Sequence, residues 1–137
     1  MASDFTQRPR HRLLVAEDDY ALREMLVALL RADGYEVEAV SNGLELLNAI
    51  GMSPKAGSRR FDLVISDVRM PGASGPRVFS RLGYGPDIPP VLFMTAFGDA
   101  ELSDEVASLG ALAVLEKPID FDELRAFIRS YLARHCN

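Results

Sequence analysis

Phe61-Asp62-Leu63-Val64-Ile65-Ser66-Asp67 is an apolar run that ends on a carboxylate. It is too short for a helix and rich in branched side chains, so it reads as a strand buried on both faces. Two further runs have the same form. Leu13-Leu14-Val15-Ala16 leads into Glu17-Asp18-Asp19, and Ala111-Leu112-Ala113-Val114-Leu115-Glu116 leads into Lys117-Pro118. As neighbours in one parallel sheet, the three runs would place their carboxyl ends on one edge. Three aspartates and a lysine then converge in one crevice. Carboxylates that close repel, and some would hold protons. A site that keeps them ionised usually has a divalent cation as its occupant.

The rest of the chain supplies the remaining elements. Strand β1 is expected over 12–16. Between Asp19 and Asp33, Leu22, Met25, Leu26, Leu29 and Leu30 fall on one face of a helix (α1), and Gly34 stops it. Residues 35–40 alternate as a strand does (β2). Ser41-Asn42 reads as the cap of a short helix over 43–50 (α2). Residues 51–60, with Lys55, Arg59 and Arg60, read as a solvated connection to β3 at 61–66. Prolines and glycines crowd 71–90, which leaves only 77–82 for a short third helix (α3). Pro90–Thr95 is the next strand (β4). Leu102, Val106 and Leu109 have helical spacing within 99–109 (α4), and Gly110 ends it. After β5 (111–116), Asp120 can cap a last helix (α5) with Leu124, Phe127, Ile128, Tyr131 and Leu132 on one face. Strands and helices alternate throughout. Right-handed crossovers then give an α/β fold, a doubly wound parallel sheet with helices on both faces. Ligands of such sheets sit beyond the carboxyl ends of the strands.

Bulk properties narrow the field. A chain of 137 residues with 48% apolar and 26% charged residues fits one ordinary globular domain. A flexible arm is expected over 1–11 and a single domain over 12–134, with no effector domain after it. The net charge of −5 argues against direct nucleic-acid binding. No apolar run approaches a membrane span, and the N-terminus lacks a signal-peptide core. The single cysteine, Cys136, has no partner for an intrachain disulfide. These features point to the cytoplasm.

Each site candidate has an ordinary explanation when taken alone. Asp18 and Asp19 suit the first turn of a helix, and they can also hold Mg²⁺ with Asp67, since a hard cation takes oxygen ligands. Asp67 can open a turn before Pro71-Gly72, ligate a metal, or attack phosphorus. Thr95 can end a strand or donate to a phosphoryl oxygen. Lys117 can lie in solvent or neutralise a phosphoryl group. Glu17 is given no role. The convergence favours the chemical readings.

VAEDDYALREML (15–26), VISDVRMPGASG (64–75), VLFMTAF (91–97) and VLEKP (114–118), in this order, resemble the receiver domain of bacterial two-component response regulators. The resemblance runs from about Arg12 to Leu132. It implies a CheY-like, flavodoxin-like sandwich with five strands in the order 2-1-3-4-5. It implies that Asp67 accepts a phosphoryl group from a histidine kinase or histidine phosphotransferase. Asp18, Asp19, Asp67 and the backbone carbonyl of Arg69 would hold Mg²⁺, while Thr95 and Lys117 would bind phosphoryl oxygens. The Lys117–Pro118 bond would be cis. Beyond its own phosphoryl transfer and dephosphorylation, such a module is not an enzyme. Phosphorylation replaces one charge on Asp67 with roughly −1.5 to −2, which biases a two-state element. The expected output is the α4–β5–α5 surface, read by a downstream protein or effector domain, and the same helices allow a homodimer.

Two features qualify the resemblance. The family usually carries Tyr or Phe three residues before the lysine, where this chain has Val114; Phe93 and Phe97 are the next aromatic candidates. Arg69 and Phe97 flank the phosphoryl group in the family, and their bulk predicts slow loss of it. Three rival readings fit less well. A Mg²⁺-dependent phosphohydrolase needs an acid two residues past its nucleophile, where this chain has Arg69. An FMN carrier needs a phosphate loop after β1, where Glu17-Asp18-Asp19 would repel the phosphate. A phosphorylation-independent interaction module leaves the full set of site residues unexplained.

Overall fold

The computed structural model describes residues 10–51, 61–83, 87–96, 106 and 108–135. Five strands form one parallel sheet in the order β2-β1-β3-β4-β5. They span Arg12–Ala16 (β1), Glu36–Val40 (β2), Leu63–Asp67 (β3), Val91–Thr95 (β4) and Ala113–Glu116 (β5). The helices α1 (Tyr20–Ala32), α2 (Gly43–Gly51), α3 (Gly75–Leu82) and α5 (Phe121–His135) are described in full. Of α4, Val106 and Ser108 are helical, and 97–105 lie outside the described residues. So do the expected arm at 1–9, most of the 51–60 connection, and Cys136.

Strand periodicity divides the core. Leu13, Val15, Leu63, Ile65, Leu92 and Met94 point to one face, against Leu26 and Leu30 of α1 and Leu124 and Ile128 of α5. Leu14, Ala16, Val64, Val91 and Phe93 point to the other, against Leu46 of α2, Val78 and Phe79 of α3 and Val106. Both faces of β1, β3 and β4 are therefore covered, which is why these runs are continuously apolar. Of the edge strands, β5 alternates between half-buried and exposed positions, while β2 buries only Val37.

Local signals set the helix ends. Asp19 caps α1 by accepting the Leu22 N–H at 3.0 Å. Asn42 accepts the Glu45 N–H at 2.8 Å, and Glu45 returns to the Ser41 N–H at 2.7 Å. Asp120 accepts the Glu123 N–H at 3.1 Å, as the sequence suggests. Helix α3 begins two residues earlier than expected. Ser74 caps it through the Arg77 N–H, and Pro76 belongs in a first turn, where its missing N–H costs nothing. Gly75 has a further reason to be glycine: a Cβ there would meet the Asp67 carbonyl oxygen at 2.5 Å.

Candidate functional site

The carboxyl ends of β1, β3, β4 and β5 meet at one edge. Lys117, just past β5, places its Nζ 2.8 Å from Glu17 Oε1 and 2.8 Å from Asp67 Oδ2. The backbone fixes this convergence. The Lys117 N–H donates to the Thr95 carbonyl at 2.8 Å, the Val68 N–H to the Met94 carbonyl at 2.9 Å, and the Glu17 N–H to the Val40 carbonyl at 3.1 Å. Pairing thus continues one residue beyond β1, β3 and β5, and the site side chains ride on it. The Lys117–Pro118 bond is cis.

Asp67 is buried, at 5% exposure. Its Oδ2 is held by Lys117, and no side chain or N–H among the described residues donates to Oδ1. Thr95 is also buried, and its hydroxyl makes a long 3.4 Å contact to the Ala96 carbonyl. Arg69 lies two residues past Asp67 with its side chain exposed.

Glu17 departs from the expectation. It is completely buried, and its carboxylate joins those of Asp18 and Asp67, with ligand oxygens within 4.8 Å of one another. Its Oε2 also accepts the Asp19 N–H at 3.0 Å. Asp19, expected to hold metal beside Asp18, instead turns outward as the cap of α1 and is not in the cluster. The signal was in the sequence: the last of three consecutive acids precedes the helical pattern and has the N-cap position, which leaves the first two for the crevice. The candidate ligand set, three carboxylates, is hard and oxygen-rich, as Mg²⁺ requires.

Burial governs the electrostatics. Desolvation raises the Glu17 pKa to about 7, against the lowering effects of the Lys117 and Asp19 hydrogen bonds. For Lys117, burial favours the neutral amine, but hydrogen bonds to Asp67 and Glu17 outweigh it and hold the ammonium above its ordinary range. Without a cation the site is three potential negative charges against one positive.

The model of the response regulator receiver domain matches residues 13–129. The chain belongs to this family. A receiver domain is a signalling domain of two-component systems. This one is 31% identical to the sporulation initiation phosphotransferase F of Bacillus subtilis, over 92% of this chain and 97% of that protein. It is 38% identical to the transcriptional regulatory protein FixJ of Bradyrhizobium diazoefficiens, over 86% of this chain but 55% of that protein. The match to FixJ is thus confined to about half of its length. Among solved structures, a putative response regulator from Chloroflexus aurantiacus is similar with a TM-score of 0.77 and 33% identity, covering 91% of this chain and 99% of that one. The response regulator TrrA of Thermotoga maritima, solved in complex with Mg²⁺ and BeF, gives 0.69 and 31%, covering 88% and 97%.

Within this receiver domain, Val114 is 41% exposed on the edge strand β5. Phe93, one of the aromatic candidates to replace it, is instead fully buried, edge-to-face with Phe79 at 5.9 Å. Its place on β4 points it into the core. Phe97 lies outside the described residues. No helix among the described residues is long and apolar enough to cross a membrane.

Proposed function

We propose that Asp67 is the phosphoacceptor of a cytoplasmic phosphorelay module charged by a histidine kinase or histidine phosphotransferase. The observation that carries this is the asymmetric environment of its carboxylate: Lys117 occupies Oδ2, while Oδ1 accepts no hydrogen bond from the described residues. Oδ1 attacks the phosphorus of a phosphohistidine. The P–O bond forms as the P–N bond breaks, and its electron pair leaves on the imidazole, which is then protonated. Glu17, Asp18 and Asp67, with the backbone carbonyl of Arg69, would hold Mg²⁺. This set keeps Asp18 and Asp67 from the sequence reading and replaces Asp19 with Glu17. A bound cation would supply neutralisation of the negative charge gathered at the site.

Lys117 orients the nucleophile before transfer and pairs with the phosphoryl group after it. Thr95, at the end of the adjacent strand, is the hydroxyl donor for a second phosphoryl oxygen. With Mg²⁺, three carboxylates and Lys117 sum to zero. Phosphorylation leaves about −0.5 to −1 at the site, and new donors must turn inward to meet it. This is the link from chemistry to the α4–β5–α5 surface and to a downstream protein or effector domain. Incubation with acetyl phosphate and Mg²⁺, followed by intact mass, is the test. One phosphoryl adduct is expected, absent in Asp67→Asn. Failure to form an adduct with any small-molecule or protein donor would overturn the assignment.

A further inference from the structure

Between α2 and α3, away from the strand-end site, lies an open groove of about 580 Å³. Leu47, Ala73 and Val78 form its apolar part, and Leu44 stands at its rim with 63% of its surface exposed. Arg77 and Arg81, one turn apart on α3, form the other wall. Among the described residues, no carboxylate lines the groove and neither guanidinium has an ion pair. In a chain of net charge −5, this is a local reversal of sign.

Arg77 is the informative residue. It lies in the first turn of α3, just after the Ser74 cap, and no acidic residue shares that turn. The positive end of the helix dipole disfavours a cation there. Arg77 therefore weakens the helix that carries it, and no ion pair among the described residues offsets this. Its side chain is exposed beside the groove, within reach of a carboxylate on a bound partner. Arginines four apart match two carboxylates four apart on a facing helix, and the leucine-lined part fits the apolar side of the same helix.

We propose that the α2–α3 groove docks an acidic amphipathic helix of a partner protein, with apolar side chains on Leu44, Leu47 and Ala73 and carboxylates on Arg77 and Arg81. The groove adjoins the loop that follows Asp67. The Gly43 N–H donates to the Pro71 carbonyl at 3.1 Å, and a Cβ at Gly43 would collide with the Ala73 carbonyl.

The test uses the full chain, ¹⁵N-labelled and unphosphorylated, so its result is independent of the phosphoacceptor assignment. The probe is a helical peptide of about 15 residues, with leucines on one face and glutamates four apart beside them. A matched peptide carries lysines in place of the glutamates. Saturable shift changes are expected at Leu44, Leu47, Ala73 and Val78, with affinity falling as salt rises. Arg77→Ala/Arg81→Ala should weaken binding about tenfold while the protein stays folded, and Leu44→Ala should weaken it independently. Equal binding of the lysine peptide, shifts mapping elsewhere, or no shifts at ~1 mM peptide would each overturn the proposal. So would concentration-dependent shifts at these residues without peptide, which would indicate a second copy of the chain.

Discussion

Replacing Glu17 by Gln should remove one component of the pH dependence of stability in the metal-free protein. In the unfolded chain Glu17 loses its proton near 4.5; in the folded, cation-free protein it holds the proton to about 7. Between these values the folded state binds more protons, so stability falls as pH rises. The Glu17 contribution is complete below about 4.5 and gone above about 7. At ~1.4 kcal/mol per pKa unit, the ceiling is about 3 kcal/mol. The amide of the Glu17→Gln variant cannot titrate. Its single oxygen also cannot serve both Lys117 and the Asp19 N–H, which adds a pH-independent cost of about 1–3 kcal/mol. The slope of the difference curve is therefore diagnostic, not its height. Urea denaturation in chelator from about pH 4.5 to 8 should show the wild-type advantage shrinking by up to about 3 kcal/mol. Mg²⁺ at ~100 times its Kd should return about 3 kcal/mol to the wild type at neutral pH, and much less to Glu17→Gln. Parallel pH curves, or equal rescue by Mg²⁺, would refute the placement of Glu17 in the cation site.

The two aspartates that follow should separate cleanly. Asp19→Ala removes the α1 cap and should cost about 1 kcal/mol of stability, with Mg²⁺ affinity changed less than ~2-fold; Asp18→Ala should lower Mg²⁺ affinity by tenfold or more, since it removes a charged ligand. Tryptophan is absent from the chain, so calorimetric titration is the suitable readout. Phe93→Ala empties a fully buried position packed edge-to-face on Phe79 and should cost about 3–5 kcal/mol by denaturant titration. A cost under ~1 kcal/mol would mean that Phe93 can leave the core.

Fold class was legible because it rests on a local signal. β1, β3 and β4 are covered on both faces, so successive side chains along each had to be apolar, and that pattern survives in the linear order. The caps at Ser41-Asn42 and Asp120 were equally local, whereas Asp19, read as a metal ligand, is the cap of α1. The start of α3 was less so. Pro76 looked like a breaker in a proline-rich stretch, whereas Ser74 made it the first turn of a helix.

The site was legible only to the level of the strand ends. Sequence by itself placed Asp67, Thr95 and Lys117 at the carboxyl edge, because each ends or directly follows an apolar run. Tertiary structure decided which acid of Glu17-Asp18-Asp19 enters the crevice. That choice depends on how the chain leaves β1: pairing to Val40 persists through Glu17 and turns its side chain toward Lys117, a hundred residues away, while α1 claims Asp19 as its cap. Consecutive acids look alike in a sequence. Burial and hydrogen-bond partners set the charge and role of each, and those come from residues that only the folded sheet brings within reach.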